Sequence, residues 1–240
     1  MDLADKIAIV TGASSGLGQA FSEKLIEKGA TVYGLARSED KLNKLHEEFG
    51  NRFQPVTLDI TDHESIEDWV DSTFSEDHSP DILINNAGLG LFGDVDELGL
   101  DEWHKMINTN LSGIFYMTRQ ITPHMKENEN ICHIVNIASI AGKIGNPKMT
   151  GYNATKFGVR GFSESLFKEL RYDGIKVTCF YPGSVNTHFF DSIDGADTHP
   201  NMMQPQDIAK TMADVLETPD NFLINEVVMR PLNPKPPEEE

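Results

Sequence analysis

Short apolar segments alternate with longer amphipathic segments along most of the chain. The apolar segments are mostly continuous and rich in valine and isoleucine, which is typical of strands that are buried on both faces. They are Ile7–Val10, Thr31–Ala36, Phe53–Leu58, Ile82–Ile84, Ile131–Ala138, Lys176–Tyr181 and Glu226–Met229. The pattern predicts a strand at each of these places.

The segments between the strands carry apolar residues at helical spacing. Leu17–Lys28, Asp101–Lys126 and Thr155–Tyr172 place large apolar side chains three or four residues apart, as a helix with one buried face requires. Strands that alternate with helices favour a parallel sheet that is covered on both sides. We therefore predict an α/β fold with a doubly wound parallel sheet and helices on both faces, as a single domain over residues 1–230.

Two segments interrupt this alternation. Residues 188–205 mix aspartate, glycine and proline with four large apolar side chains, and we expect a mobile cover over a bound substrate. Those side chains, which would equally well pack the loop onto the core, are Phe189, Phe190, Met202 and Met203. Residues 231–240 contain four prolines and three terminal glutamates, so we expect an extended or disordered tail.

The charge of the chain narrows the set of partners. Its formal net charge is −18, from 38 acidic and 20 basic side chains. A field of this sign repels nucleic acid and anionic membranes, so neither is an expected partner. Any anionic ligand must then be held by local positive groups.

Signals for membranes, secretion and metals are missing from the sequence. No apolar run is long enough to span a bilayer, and the first residues lack the basic region of a signal peptide. Cys132 and Cys179 lie far apart within apolar runs, so we expect buried, reduced thiols. The histidines form no metal-binding pattern, and we expect no metal and a cytoplasmic location.

A glycine-rich turn connects the first predicted strand to the first predicted helix. Its spacing, Gly-x-x-x-Gly-x-Gly, departs from the common dinucleotide fingerprint, and glycines also gather in turns that bind nothing. Between a strand and a helix, however, such a turn lets the backbone approach a pyrophosphate at the positive end of the helix. We predict cofactor contacts from Gly12, Ser14, Ser15, Gly16, Leu17 and Gly18.

The end of the second predicted strand bears on the choice of cofactor, because in this type of fold it reaches the adenosine ribose. Ala36 leaves vacant the place of the acidic residue that accepts hydrogen bonds from the ribose of NAD. Arg37 can instead bind a 2′-phosphate, with Ser38 as a second donor. The alternative is an exposed arginine ahead of a helix. The pattern favours NADP(H).

Several short motifs follow one another in a fixed order. They are Thr11-Gly12-x-x-x-Gly16-x-Gly18, Asn85-Asn86-Ala87-Gly88, Asn110, Ser139, Tyr152-x-x-x-Lys156 and Pro182-Gly183-x-Val185-x-Thr187. Over about residues 6–187 the chain resembles the short-chain dehydrogenase/reductase family in its compact single-domain form. The resemblance implies a Rossmann-type fold and an NADP-preferring oxidoreductase.

Tyr152 and Lys156 also have a physical reason to occur together. Residues four apart on a helix share a face, with Cβ atoms roughly 6 Å apart. A nearby ammonium, assisted by a positive nicotinamide ring, favours the phenolate and brings the tyrosine pKa down toward the working pH. Without the other motifs, a half-buried aromatic residue and a solvated lysine would be the better interpretation.

The resemblance implies roles for the remaining residues. Ser139 would hydrogen-bond the substrate oxygen, and Asn110 would open its helix to hold a water that connects Lys156 to solvent. Each has a structural alternative, a turn serine and an exposed polar helix position. Further cofactor contacts, which include Tyr152 and Lys156 themselves, would come from Asp59, Ile60, Asn86, Ala87, Gly88, Pro182, Gly183, Val185 and Thr187.

The sequence thus predicts an enzyme that transfers a hydride between nicotinamide and a small carbonyl or alcohol, with Tyr152 as general acid/base. Its substrates would be ketones, aldehydes or 3-hydroxy acids. The alternatives are a non-catalytic NADP-sensing regulator on the same fold and a nucleotide-sugar epimerase or dehydratase, although the latter enzymes usually carry a larger C-terminal lobe.

Two expectations concern partners. Lys143 could attract a substrate carboxylate, although a surface lysine is the better interpretation. The helices predicted at Asp101–Lys126 and Thr155–Tyr172 carry more apolar residues than one sheet face can cover. Because members of the family commonly pair these helices between subunits, we expect a homotetramer, or at least a dimer.

Overall fold

A seven-stranded, wholly parallel sheet forms the centre of the molecule in the computed structural model, which describes residues 1–187, 189 and 198–236. The strand order is β3-β2-β1-β4-β5-β6-β7. The strands are β1 (Ile7–Thr11), β2 (Thr31–Ala36), β3 (Phe53–Thr57), β4 (Ile82–Asn85), β5 (Cys132–Ile137), β6 (Ile175–Pro182) and β7 (Glu226–Met229). The predicted fold class and all seven predicted strands are confirmed, and no strand end differs from its predicted position by more than one residue.

Helices connect the strands and cover both faces of the sheet. They are α1 (Gly16–Glu27), α2 (Glu39–Phe49), α3 (His63–Thr73), α4 (Leu100–Ile107), α5 (Gly113–Glu127), α6 (Thr150–Leu170) and α7 (Pro205–Leu216). Helices α1, α2 and α7 pack on one face and α3, α5 and α6 on the other. Successive strand residues alternate between the two cores: Val10 belongs to the first and Ile9 to the second.

The prediction of one continuous helix over Asp101–Lys126 was wrong. A π-helical turn at Asn108–Ser112 separates α4 from α5. The side chain of Asn110 is fully buried in this turn and bonds to the backbone of Leu89 instead of facing solvent. Helical periodicity in the sequence does not register one extra residue in a turn.

The predicted cover over residues 188–205 lies partly outside the described residues. Residues 188 and 190–197, and with them Phe190, belong to the part that is not described. Of the other three apolar side chains, Phe189 contacts Tyr152, while Met202 is buried and Met203 packs against the core. In the predicted tail, residues 232–236 are exposed and residues 237–240 lie outside the described part.

The sequence also led to expectations about membrane-spanning helices, cysteine thiols and metal sites. None of the described helices combines the length and apolarity that crossing a bilayer would need. Cys132 and Cys179 are both buried and unpaired by disulfide, as expected. Within the described ranges no cluster of three or more histidine, cysteine or acidic side chains could hold a metal ion.

Candidate active site

A cavity of about 930 Å³ opens at the carboxyl ends of the strands. It lies where the strand order reverses, between β1 and β4, which is where open parallel sheets bind ligands. All the predicted cofactor contacts except Gly18 line it, as do Ser139, Tyr152 and Lys156. Residues that lie far apart in the sequence, from Gly12 to Thr187, therefore face one space.

The glycine-rich turn forms the floor of one end of the cavity. Gly12 has a φ of +67°, and a Cβ atom there would lie 3.0 Å from the Cα of Ala87, so only glycine fits. Gly18 does not line the cavity. A Cβ atom on Gly18 would lie 2.1 Å from the carbonyl oxygen of Gly12, so this glycine lets α1 pack against the turn. Ser15 precedes α1 without capping it, which leaves the hydroxyl and the helix N-terminus facing the cavity.

The end of β2 provides positive charge beside this turn. Arg37 is exposed at the cavity wall and forms no ion pair within the described residues. Ser38 is the N-cap residue of α2, but its side chain makes no capping hydrogen bond. Lys41, which sequence reasoning missed, lines the cavity as well. Its position three residues after Ser38 on a helix was the available signal, because such residues share a face.

Strand ends on the two sides of the turn complete the wall. Asp59 accepts hydrogen bonds from the backbone N–H and the hydroxyl of Thr61, at 2.9 and 2.8 Å, which fixes its carboxylate at the cavity edge. Asn86 donates from Nδ2 to the carbonyl oxygen of Thr11 at 2.9 Å, so it clamps the end of β4 to β1. The remaining predicted wall residues lie where expected: Ile60, Ala87, Gly88, Pro182, Gly183, Val185 and Thr187.

Tyr152 and Lys156 lie one turn apart on α6 and are almost completely buried. Their side chains face the middle of the cavity, and the Lys156 ammonium lies 5.7 Å from the centre of the Tyr152 ring. Lys156 Nζ donates to the carbonyl oxygen of Ile137 at 2.9 Å. This hydrogen bond to the last residue of β5 holds the lysine in place at the carboxyl end of the sheet.

Burial shifts the pKa of both side chains in the protein without cofactor. Burial raises the pKa of Tyr152 to about 12, although a hydrogen bond with Ser139 partly offsets this. Burial lowers the pKa of Lys156 to about 8, so the lysine still carries its charge near neutral pH. The lowering of the tyrosine pKa that was expected from Lys156 together with a positive nicotinamide ring stays a prediction, because in the protein alone the cost of burying a phenolate dominates.

Ser139 lies two residues after the end of β5 and is the N-cap residue of a 3₁₀ turn at Ile140–Gly142. Its Oγ accepts the backbone N–H of Ala141 at 3.1 Å and lies 3.5 Å from the carbonyl oxygen of Pro182. The serine therefore has both the structural role of a turn residue and a hydroxyl in the cavity beside Tyr152. The two interpretations of Ser139 do not compete.

Asn110 does not line the cavity but lies directly behind it. Its Oδ1 accepts the backbone N–H of Leu89 at 2.8 Å, and its Nδ2 donates to the carbonyl oxygen of Leu89 at 2.7 Å and to Thr155 Oγ1 at 3.1 Å. These bonds connect the π-helical turn to the segment after β4 and to α6. The helix is thus opened as the resemblance implied, and the water remains an expectation.

Lys143 and Lys148 belong to the same loop but point to different places. Lys143 forms an ion pair with Glu226 at 2.7 Å and lies over the ring of Tyr181, outside the cavity. This position agrees with the preferred interpretation of Lys143 as a surface lysine rather than with the alternative of a carboxylate-binding residue. Sequence reasoning missed Lys148, which lines the cavity with its neighbour Asn146.

Comparisons with known proteins agree with this architecture. The model of the short chain dehydrogenases matches residues 6–197. An uncharacterised oxidoreductase of Staphylococcus aureus (strain MRSA252) is 35% identical over 231 residues, which are 96% of this chain and 99% of the relative.

Two solved structures are similar over nearly their whole length. A serine dehydrogenase in its closed form with NADP⁺ superposes with a TM-score of 0.86 at 33% identity, covering 93% of this chain and 94% of the other. A 3-ketoacyl-(acyl-carrier-protein) reductase from Brucella melitensis with NADH gives a TM-score of 0.87 at 28% identity, with 96% and 98% covered.

Proposed function

Because the chain belongs to the short-chain dehydrogenase/reductase family, we propose that it transfers a hydride between NADP(H) and a small carbonyl or alcohol substrate. The observation that carries the proposal is the cavity at the carboxyl ends of the strands. It brings the hydroxyls of Ser139 and Tyr152 and the ammonium of Lys156 to one wall, beside a glycine-rich turn suited to a pyrophosphate.

The cofactor is NADP(H). The serine dehydrogenase was solved with NADP⁺, and the cavity of this chain has the groups that a dinucleotide needs along its wall. The turn at Gly12–Leu17 would hold the pyrophosphate, while Arg37, Ser38 and Lys41 would hold the 2′-phosphate. Asp59 and Ile60 would border the adenine, and Val185 and Thr187 the nicotinamide. Two cations at the ribose end, in a chain with a net charge of −18, favour the phosphorylated cofactor.

When bound, the cofactor would supply the hydride and, in its oxidised form, the positive charge of the nicotinamide ring. Tyr152 donates its proton to the substrate oxygen during reduction and removes it during oxidation. Ser139 donates a hydrogen bond to the same oxygen and stabilises the charge that develops there. Lys156 would hold the nicotinamide ribose. Its positive charge favours the phenolate form of Tyr152, which burial disfavours in the free protein.

The substrate is a small ketone, aldehyde or 3-hydroxy acid. A serine dehydrogenase, which acts on a 3-hydroxy acid, is among the similar structures. The competing hypothesis is a non-catalytic NADP sensor on this fold. A sensor has no use for a proton donor, so the intact group of Asn110, Ser139, Tyr152 and Lys156 favours an enzyme.

The experiment that tests this function is the replacement of Tyr152 by phenylalanine. Tyr152→Phe removes one hydroxyl from the cavity, so it should fold and bind NADPH but lose roughly 10²- to 10⁴-fold in kcat. The measurement is NADPH consumption with a panel of small ketones, aldehydes and diketones, with NADP⁺ reduction for 3-hydroxy acids. Tyr172→Phe, at a tyrosine that is 83% exposed, is the control and should retain full activity. Near-normal turnover by folded Tyr152→Phe would refute the mechanism.

We also propose a homotetramer, or at least a dimer, located in the cytoplasm. Large apolar side chains remain partly exposed along the helices that were expected to pair, with exposed fractions of 36% for Trp103, 50% for Phe115 and 42% for Phe157. The two free thiols suit a reducing compartment. Light scattering at micromolar concentration should return a multiple of the 26.7 kDa chain mass. A monomer would contradict the proposed assembly.

A further inference from the structure

The part of the cavity away from the proposed nucleotide contacts is mostly apolar, and we call it the substrate half. It is bordered by residues 89–92, by Ser139, Ile140, Ala141, Asn146, Lys148, Met149 and Tyr152, and by Phe189. The rings of Phe92, Tyr152 and Phe189 pack against one another with centres 5.5 to 6.4 Å apart. Such a wall suits a small carbon skeleton and offers it no charge.

Lys148 is the one charged side chain of the substrate half among the described residues. The protein as a whole repels anions, because its net charge is −18. Lys148 therefore places a positive charge at a wall where an anionic substrate would otherwise be repelled. Asn146 lines the same wall and adds an amide that can donate a hydrogen bond.

The backbone at Lys148 gives no structural reason for a lysine. Its φ is +63°, in the left-handed region that favours glycine, and a side chain there costs about 1–2 kcal/mol. The loop is held at this point by the main chain, since the carbonyl oxygen of Lys148 accepts the N–H of Gly93 at 2.9 Å. A glycine would make the same bond with less strain. Residues other than glycine with a strained backbone of this kind concentrate at functional sites.

Among the described residues, the ammonium of Lys148 has only a weak partner. It lies 3.5 Å from Asp94 Oδ2, and both side chains are more than half exposed, at 67% and 52%. An exposed ion pair contributes little to stability, so a carboxylate in the cavity can displace Asp94 at small cost. Asp94 then competes with a ligand for the ammonium of Lys148.

We infer that Lys148 binds a carboxylate of the substrate, so that the preferred substrates are small oxo acids and hydroxy acids rather than neutral ketones and alcohols. The inference rests on the proposed function and narrows its substrate class. Lys148 is a specificity-determining residue and takes no part in proton transfer. Its contribution should therefore appear in KM for an acid more than in kcat.

The experiment compares an acid with its neutral counterpart. Acetoacetate and methyl acetoacetate share the ketone and differ in one charge, and NADPH consumption reports the reduction of both. The unmodified protein should have the higher kcat/KM for acetoacetate. In Lys148→Met, kcat/KM for acetoacetate should fall by roughly tenfold through KM, at least five times more than for the ester.

Three further variants separate charge from structure. Lys148→Gly should lose the acid preference in the same way while raising the melting temperature, because it relieves the positive φ. Asp94→Asn should increase kcat/KM for acetoacetate a few-fold by releasing the lysine. Lys143→Met removes a lysine of the same loop that is paired with Glu226, so it should affect acid and ester equally.

Other outcomes would overturn the inference. Equal losses for acid and ester in Lys148→Met, or a preference of the unmodified protein for the ester, would show that Lys148 recognises no carboxylate, while the oxidoreductase function would stand. Reduction of neither compound would contradict both the inference and the proposed activity on small carbonyl compounds.

Discussion

Lys156 and Lys176 lie at opposite ends of the sheet and are buried to nearly the same degree. They expose 4% and 6% of their surface, and burial lowers the pKa of both. Lys156 lies at the carboxyl end, where its ammonium has one backbone acceptor, Ile137, and otherwise faces the cavity. Lys176, near the start of β6, donates to the carbonyl oxygens of Pro219 and Phe222 at 2.6 and 2.9 Å.

The same contrast holds between the buried ring of Tyr152 at the carboxyl end of the sheet and that of His133 at the amino end. His133, near the start of β5, is fully buried and bonds through Nε2 to Thr178 Oγ1 at 2.8 Å. Burial lowers the pKa of His133 to about 3, which is at least as far from its ordinary value as the pKa of Tyr152 or Lys156 is from its own. Yet neither His133 nor Lys176 lines the cavity. A shifted pKa alone therefore does not mark a functional site, whereas a shifted pKa at a cavity wall favours one.

The first prediction concerns the carboxyl end, where a lost charge should alter ligand affinity. Arg37→Ala should erase most of a preference for NADPH over NADH of roughly ten- to a hundredfold, because hydrogen bonds to charged groups contribute about 1.5–3 kcal/mol. The measurement is kcat/KM for each cofactor. Lys44→Ala, on α2 but outside the cavity, should leave the preference unchanged. Equal use of both cofactors by the unmodified protein would contradict the proposed role of Arg37.

The second, smaller effect concerns the amino end, where a lost charge or ring should alter stability. The pKa of His133 is about 3 in the folded protein, below its ordinary value of 6.5, so the unfolded chain binds more protons between these values. Stability is therefore lost as the pH falls below 6.5. Between pH 7 and pH 5 the histidine should reduce the free energy of unfolding by about 1–2 kcal/mol.

Urea unfolding at several pH values measures this loss. His133→Gln, which cannot titrate, should show a flatter dependence of unfolding free energy on pH than the unmodified protein. The same substitution at the exposed His104 is the control and should leave the slope unchanged. Parallel pH curves for His133→Gln and the unmodified protein would show that this histidine is not held neutral by burial.

Much of the fold and of the cavity could be predicted from the sequence, because the signals are local. Apolar runs mark strands, and the four-residue spacing of Tyr152 and Lys156 places both on one helix face. Lys143 and Lys148 show where such reasoning ends. The 3₁₀ turn at Ile140–Gly142 directs the first lysine toward Glu226 and β7, whereas the second reaches the cavity. That difference depends on contacts between distant segments, which spacing along the chain does not contain.

The hydrogen bonds of Lys176 and His133 at the amino end of the sheet could not be predicted from the sequence either. Lys176 and His133 stand in apolar runs, where the sequence predicts only buried strands. Their partners lie about 40 residues away, at Pro219 and Thr178. Only the folded chain shows that Lys176 and the Nε2 atom of His133 form hydrogen bonds there, while the buried Nδ1 atom of His133 has no partner among the described residues.

One paired measurement shows whether the carboxyl end of the sheet performs the chemistry while the amino end supports the fold. Lys156→Met and Lys176→Met make the same substitution, and each is assayed for kcat, NADPH binding and the free energy of unfolding. Lys156→Met should lose roughly 10²-fold or more in kcat and bind NADPH more weakly, with little loss of stability. Lys176→Met should lose about 1–3 kcal/mol of stability, because the hydrogen bonds from its ammonium to the carbonyl oxygens of Pro219 and Phe222 are lost, and retain its kcat. Loss of kcat in folded Lys176→Met, or full activity in Lys156→Met, would contradict this division of roles between the two ends of the sheet.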